Sequence, residues 1–168
     1  SPVLLIGGAA PIALQGRGAL QDIDQRPLVA PHVKKLWQVK HVAELGPAVE
    51  AALLISQEGL PGPTFVECPV DLLYDEDTIR QWYRDAAGKG KSVPDRLLRW
   101  YLNRHAARMF AGSKEPYLPL GHIAPTPRVD GAAVDKAVAA LARANKPLMI
   151  LGSQAVVAAA NCQQVAAA

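Results

Sequence analysis

Short apolar runs that end in glycine restrict the fold of this chain more than any other feature of its sequence. Residues 3–6 read Val-Leu-Leu-Ile before Gly7 and Gly8, and residues 147–151 form a similar run before Gly152. Apolar runs of this length, closed by a turn residue, are typical of strands that lie fully buried in a parallel sheet. Neither run is long enough to cross a bilayer. The sequence therefore predicts an α/β fold.

The residues that follow the first run alternate between strand and helix patterns. Residues 42–58 place apolar side chains at helical spacing, and Gly59 stands where a C-terminal cap belongs. Residues 62–69 predict a short strand bracketed by prolines, because proline cannot donate to a strand ladder. A short helix is expected over residues 17–24 and an extended segment over residues 33–39. This order of elements predicts a parallel sheet with flanking helices.

The sequence changes character after Asp71. It predicts helices over residues 75–84 and 94–110, separated by a flexible break at 86–92, and then a segment with four prolines at 116–127. A helix over 129–145, a strand over 146–152 and the start of a helix at 155–168 resume the α/β alternation. We therefore predict part of one α/β domain at 1–75, a helical and proline-rich linker at 76–127, and the start of a second domain at 128–168.

Charge and cysteine content exclude some classes of partner. The formal net charge is only +3, and the basic residues between Arg80 and Lys114 accompany no nucleic-acid recognition motif. We interpret them as a solvated connecting segment and expect no nucleic-acid partner. Cys68 and Cys162 lack the spacing of metal ligands and indicate ordinary buried thiols of an intracellular protein.

The sequence contains no self-contained catalytic motif. No serine lies in a G-x-S-x-G turn, and no histidine has the H-E-x-x-H spacing of a zinc site, so no metal site is expected. Glu67 and Asp71 are the only acidic pair at the end of a predicted strand. They mark either a functional site or, as the plainer interpretation, polar residues that cap the end of the strand where the chain enters a loop.

Four segments in fixed order resemble a known family. They are residues 1–8, 17–24, 31–34 (Pro-His-Val-Lys) and 59–72, and the run G-x-P-G-P-x-x-x-E-x-P-x-D at 59–71 is the most specific. Their succession resembles the second half of the pyrimidine-binding domain of acetolactate synthase and related thiamine-diphosphate-dependent enzymes. Residues 73–74, 99–103, 109–113 and 146–155 are similar to the acetolactate-synthase-like 2-hydroxyacyl-CoA lyases of animals. The resemblance implies that a linker and the start of a central Rossmann-like domain follow, and that the chain is a fragment of such an enzyme.

The resemblance also implies thiamine diphosphate and Mg²⁺ as cofactors of the parent enzyme. In the family, a glutamate early in the pyrimidine-binding domain activates the cofactor, and a G-D-G…N segment holds magnesium and the diphosphate. Both fall outside this chain. We therefore expect no catalytic residue and no metal ligand within it, and expect the isolated chain to be inactive.

Three residues are implied to face the substrate. Residues 19–22, Ala-Leu-Gln-Asp, match an A-F-Q-E segment on the substrate side of the family's cofactor. Gln21 would be a polar contact near the cofactor-bound intermediate, or alternatively an amide on a helix surface. Leu20 replaces the aromatic residue and suits a lyase better than a synthase that condenses pyruvate. Lys34, in the Pro-His-Val-Lys match, is the third substrate-facing candidate.

The expected reaction is cleavage of a 2-hydroxyacyl-CoA into an aldehyde and formyl-CoA. One alternative is the condensation of 2-oxo acids, as in acetolactate synthase, which is a transferase reaction. Another is a non-catalytic chain that acts only by pairing with full-length subunits. The resemblance further implies a homo-oligomeric parent that associates with the endoplasmic reticulum membrane, although no membrane segment lies in this chain.

Overall fold

The computed structural model describes residues 1–87, 92–124 and 130–148, together with residues 150 and 152. The chain divides into two compact units, Ser1–Thr126 and Pro127–Ala168. The three regions predicted from the sequence have different limits, and their assignment to domains stays a prediction.

A three-stranded parallel sheet organises the first unit. Its strands are β1 (Val3–Ala9), β2 (Lys35–Gln38) and β3 (Pro63–Pro69). β3 lies between the other two, in the order β1-β3-β2. The predicted α/β fold with a parallel sheet and flanking helices is thus confirmed.

The strands differ sharply in burial. β3 is buried along nearly its whole length because it pairs on both sides. β1 pairs with β3 alone in the described part of the chain, and the side chain of Ile6 is 61% exposed. The prediction that the first strand is fully buried is therefore wrong, since an edge strand leaves part of its surface uncovered.

Four α-helices accompany the sheet in the described part of the first unit. They are α1 (Arg26–Val29), α2 (Leu45–Gln57), α3 (Glu76–Ala86) and α4 (Val93–Met109). The side chain of Asp75 caps α3 and that of Ser92 caps α4, as short polar residues do before a first helical turn. α2 ends before Gly59, whose φ of +55° is the left-handed conformation that glycine adopts readily. The predicted helices around residues 42–58, 75–84 and 94–110 are confirmed.

The predicted helix at 17–24 is wrong. Gly16, Gly18 and Gln21 all have positive φ angles between 61° and 74°, which interrupt a right-handed helix. The segment instead follows a 3-10 turn at Ile12–Leu14 with further turns, and the next helix begins only at Arg26, with Pro27 in its first turn.

The core of the first unit joins the sheet to α2, α3 and α4. Thr64, on β3, donates a hydrogen bond from its hydroxyl to the carbonyl of Ala52 on α2 over 3.1 Å, and so fixes that helix to the sheet. Cys68 is buried, as predicted. The cluster of buried apolar residues is Val39, Ala48, Ala52, Val66, Cys68, Leu72, Ile79, Met109 and Phe110.

The second unit contains one described helix, α5 (Gly131–Arg143), where the sequence predicts one over 129–145. Asp130 caps it by accepting a hydrogen bond from the backbone of Ala132. The described residues of the predicted strand at 146–152 form no strand, and residues 149 and 151 lie outside the described part. Cys162 and the predicted helix at 155–168 also lie outside it. None of the described helices is both long and apolar enough to cross a membrane.

Candidate functional site

A cleft of about 290 Å³ opens at the carboxyl ends of the three strands. In parallel α/β sheets, this edge is where ligands bind, because loops from several strands converge there. The first unit therefore carries its cleft at the edge where a ligand site is expected. The residues that line it are Ala9, Ala10, Gln15, Gly16, Asp22, Ile23, Asp24, Arg26, Gln38 and Glu67.

Glu67 and Gln38 form one wall of the cleft. They are register partners on β3 and β2, and the Gln38 amide donates to the Glu67 carboxylate over 2.8 Å. Glu67 is only 3% exposed. A buried carboxylate with one fixed donor retains further acceptor capacity, so this wall can receive a hydrogen bond from a ligand.

Arg26 and Asp24 form an exposed ion pair in the lining of the cleft. The guanidinium group donates to both oxygens of Asp24 over 2.8 and 3.0 Å. This two-point contact lowers the pKa of the Asp24 carboxyl and raises the pKa of Arg26. The pairing holds the guanidinium in one orientation and leaves part of its donor capacity available to a ligand.

The cleft is acidic overall. Its lining includes three carboxylates, Asp22, Asp24 and Glu67, against the single guanidinium of Arg26. The described residues contain no group of three or more potential metal ligands. In chemical terms, the described lining offers hydrogen-bond acceptors and one oriented cation.

The segment 11–24, which we call the cleft rim, connects β1 to the cleft. Half of the lining residues belong to it: Gln15, Gly16, Asp22, Ile23 and Asp24. Gln21 has a φ of +61°, and among the described residues no other non-glycine residue has a positive φ. Such a conformation costs a non-glycine residue about 1–2 kcal/mol. Strained backbone of this kind often accompanies function.

The predicted site residues lie in two different places. Gln21 and Leu20 lie at the exposed tip of the cleft rim, directly before the lining residues Asp22 and Ile23. The Leu20 side chain is 90% exposed. Gln21 is not on a helix surface, because no helix forms there. Its role as a cofactor or substrate contact stays a prediction.

Lys34 lies at the opposite end of the sheet. Its backbone amide bonds the carbonyl of Pro63, at the start of β3, while the cleft lies beyond the end of that strand. Its amine donates to the carbonyls of Ile55 and Glu58 over 2.7 and 2.6 Å. These carbonyls belong to the last turn of α2 and the residue after it, so Lys34 acts in this chain as a C-terminal cap. Its substrate-facing role also stays a prediction.

Asp71, Tyr83 and His105 form a polar cluster beneath the cleft rim. Asp71 is 1% exposed, and its Oδ2 accepts hydrogen bonds from the backbone amide of Ile12 over 2.9 Å and from the hydroxyl of Tyr83 over 3.1 Å. Its Oδ1 has no hydrogen-bond partner among the described residues, and neither does Nε2 of His105. Burial raises the pKa of Asp71 and lowers that of His105. Burial, together with the charge of Asp71, raises the pKa of Tyr83.

The acidic pair noted in the sequence therefore separates into two roles. Glu67 faces the cleft, whereas Asp71 holds the chain beneath it. Sequence reasoning missed Gln38, because only the register of β2 against β3 brings it to Glu67. It also missed the contact between Arg26 and Asp24. Two opposite charges at this spacing were the available signal, but they are too common to indicate a site.

Similar proteins cover the chain over nearly its whole length. The 2-hydroxyacyl-CoA lyase 2 of Danio rerio is 43% identical over 159 residues, which is 92% of this chain and 25% of that protein. The protein of the same name from Homo sapiens is 40% identical over 172 residues, which is 100% of this chain and 26% of that protein. The large subunit of acetolactate synthase isozyme 1 from Escherichia coli is 29% identical over 71% of this chain and 21% of its own length. No family model matches the chain. The chain thus spans about a quarter of the length of these two 2-hydroxyacyl-CoA lyase 2 proteins.

Proposed function

Because this chain belongs to the thiamine-diphosphate-dependent family that includes 2-hydroxyacyl-CoA lyase 2 and the acetolactate synthases, we propose that it contributes the substrate side of a carbon–carbon lyase site. The substrate class would be 2-hydroxyacyl-CoA, and the products an aldehyde and formyl-CoA. The observation that carries this proposal is the identity of about 40% to 2-hydroxyacyl-CoA lyase 2 across the whole chain.

The position and lining of the cleft support the same proposal. The cleft lies at the carboxyl edge of the sheet, and the segment 19–22, which the resemblance assigns to the substrate side, forms the tip of its rim. The acceptors and the oriented guanidinium of the cleft suit a polar, hydroxyl-bearing ligand.

The reaction balances without any external oxidant or reductant. The 2-hydroxyl of the substrate gives up its proton, the bond between C1 and C2 breaks, and the aldehyde leaves with the original C2. The electron pair of that bond remains on C1, which takes up a proton and becomes the carbonyl carbon of formyl-CoA. Thiamine diphosphate, when bound, supplies the electron sink that this step requires.

The residues of this chain would bind and orient the substrate. We propose that the amide of Gln21 contacts an oxygen of the reacting group and that Leu20 faces the acyl chain. Lys34, which does not line the cleft, is the weaker candidate for a substrate contact. Arg26, oriented by Asp24, would donate to an oxygen of the thioester end. Following the resemblance, we propose that Mg²⁺ and the diphosphate are held by other parts of the complete protein.

Condensation of 2-oxo acids is a second candidate function. The similarity to the acetolactate synthase of Escherichia coli favours it, although that similarity covers less of the chain at lower identity. A chain that pairs with full-length subunits without catalysis is a third candidate. We further propose a homo-oligomer and an association with the endoplasmic reticulum membrane, which gel filtration and subcellular fractionation would test.

A single assay separates these functions. The complete polypeptide that carries this chain is incubated with thiamine diphosphate, Mg²⁺ and either a 2-hydroxyacyl-CoA or pyruvate, and the products are identified by mass spectrometry. We expect formyl-CoA and a shortened aldehyde from the first substrate. Acetolactate from pyruvate would support the second candidate, and the absence of both products would leave the non-catalytic role.

A further inference from the structure

The cleft rim has few attachments to the rest of the unit. Within the described residues, its hydrogen bonds are mostly local: Gln15 bonds Ala10, Arg17 bonds Asp22, and the backbone forms short turns. The bond from the backbone amide of Ile12 to Asp71 spans 59 residues of sequence. No other hydrogen bond recorded for the described residues joins the rim to a distant segment.

The carboxylate of Asp71 is itself held in a fixed position by the elements around it. Asp71 lies in the 3-10 turn Val70–Leu72, directly after the central strand β3. The hydroxyl of Tyr83, from α3, bonds the same carboxylate oxygen that Ile12 bonds, and lies 4.0 Å from the sulfur of Met109 on α4. The carboxylate is thus fixed from the sheet and from α3, and the amide of Ile12 is attached to it.

We infer that Asp71 positions the cleft rim, and so the candidate substrate contacts at its tip, through its hydrogen bond to the backbone amide of Ile12. This inference rests on the proposed function for its effect on catalysis, but the attachment itself is a property of the fold. Asp71 is a positioning residue, because it lines no part of the cleft. Ile12 is the first residue of its 3-10 turn, so its amide has no partner within that turn and depends on Asp71.

The test removes the donor without changing Asp71. Ile12→Pro deletes the N–H group, and proline is tolerated at the first position of a helical turn. The preceding residue, Pro11, already has the extended conformation that a following proline requires (φ −50°, ψ 136°). Because the substitution also removes an apolar side chain that packs on the core, Ile12→Ala is the matched control, since it keeps the N–H group.

Two measurements on the complete polypeptide decide the inference. In hydrogen exchange, we expect amides of residues 13–24 to exchange about tenfold faster in Ile12→Pro than in Ile12→Ala. In the 2-hydroxyacyl-CoA assay, we expect kcat/KM to be about tenfold lower in Ile12→Pro than in Ile12→Ala, as for misplaced substrate contacts. Equal values for the two variants in both measurements would overturn the inference.

A third measurement covers the case in which Ile12→Pro does not fold. In the wild-type protein, the amide of Ile12 should be protected from exchange, and Asp71→Leu should abolish that protection while Asp71→Asn retains it. The amide oxygen of asparagine can replace Oδ2 and keep both hydrogen bonds. Free exchange of the Ile12 amide in the wild-type protein would contradict the inference. If the wild-type enzyme forms no product while exchange follows the expected pattern, the proposed function fails and the positioning role stands.

Discussion

The central strand β3 and the cleft rim, residues 11–24, show two ways in which one chain fixes a segment in space. β3 pairs with a strand on each side and is buried along nearly its whole length. The rim is largely exposed, follows turns with left-handed residues, and has one recorded hydrogen bond to a distant described residue. Stability is concentrated in the first segment, and the candidate ligand contacts in the second.

This difference in burial has a physical reason. A segment that orients polar groups toward a ligand must leave them accessible, so it cannot be held by burial. Its position then depends on a few directed contacts with rigid neighbours. Glu67 and Asp71 illustrate this, because they lie four positions apart in one stretch of chain: Glu67 forms a wall of the cleft, and Asp71, bonded also by Tyr83, holds the rim.

The largest contrast is expected between a core residue of β3 and the tip of the rim. Phe65 is a buried aromatic residue of β3, so Phe65→Ala should lower the free energy of unfolding by about 3–5 kcal/mol. Leu20→Ala should change it by no more than about 0.5 kcal/mol, because the side chain is exposed. Urea denaturation measures both. Similar losses for the two variants would remove the distinction between the segments.

The contribution of Asp71 to the stability of the fold should depend on pH. Burial raises the pKa of Asp71 in the folded state, so the folded chain binds more protons than the unfolded chain between the ordinary and the raised value. The contribution of Asp71 to stability is therefore greatest at low pH and declines as pH rises through that window. Asparagine does not titrate. The stability of Asp71→Asn relative to wild type should thus increase with pH from about 4 upward, by at most about 1.4 kcal/mol per pH unit.

His105 titrates in the opposite sense, since burial lowers its pKa and weakens the fold as it becomes protonated. The charge of Asp71 partly offsets that lowering, so its loss in Asp71→Asn lowers the pKa of His105 further and shifts the difference between the two proteins in the same direction. Denaturant melts at several pH values provide the comparison. A difference that is constant with pH, or that moves against Asp71→Asn as pH rises, would contradict the prediction.

At Gln21, stability and activity are expected to change in opposite directions. Gln21→Gly relieves a positive φ and should stabilise the fold by about 1 kcal/mol. If the Gln21 amide contacts substrate, the same change should lower kcat/KM. Gln21→Ala is the control, because it removes the amide and keeps the strain. Full activity in both variants would show that Gln21 makes no substrate contact.

The smallest effect is expected at Lys34. Lys34→Met removes two hydrogen bonds to the end of α2 and should lower the free energy of unfolding by about 0.5–1 kcal/mol. Lys40→Met is a suitable control, because Lys40 bonds Glu44 through its backbone rather than its side chain. A loss of activity beyond the loss of stability would support the predicted substrate contact of Lys34.

The sequence was sufficient to predict the fold where patterns are local. The helices α2, α3 and α4 and the proline-bracketed strand β3 follow from spacing and from residue types with known preferences. The helix predicted at 17–24 was wrong, because Gly18 and Gln21 adopt left-handed conformations that interrupt a helix, and a left-handed glutamine has no signal in the sequence.

The candidate site was predictable only in part. Resemblance pointed to Gln21 and Leu20, and the structure places both on the rim of a cleft. The wall formed by Gln38 and Glu67 depends on strand register, and the attachment of Ile12 to Asp71 joins residues far apart in sequence. Neither contact leaves a periodic or compositional signal, so neither can be inferred from a single sequence.

The most direct test asks whether the rim is the segment that responds to substrate. Hydrogen exchange is measured on the complete polypeptide with thiamine diphosphate and Mg²⁺, with and without a 2-methoxyacyl-CoA, which cannot be cleaved because it has no hydroxyl proton to lose. We expect exchange to slow in residues 11–24 and to remain unchanged in β3 (Pro63–Pro69). Unchanged exchange in the rim with a saturating ligand would contradict the assignment of this cleft to the substrate.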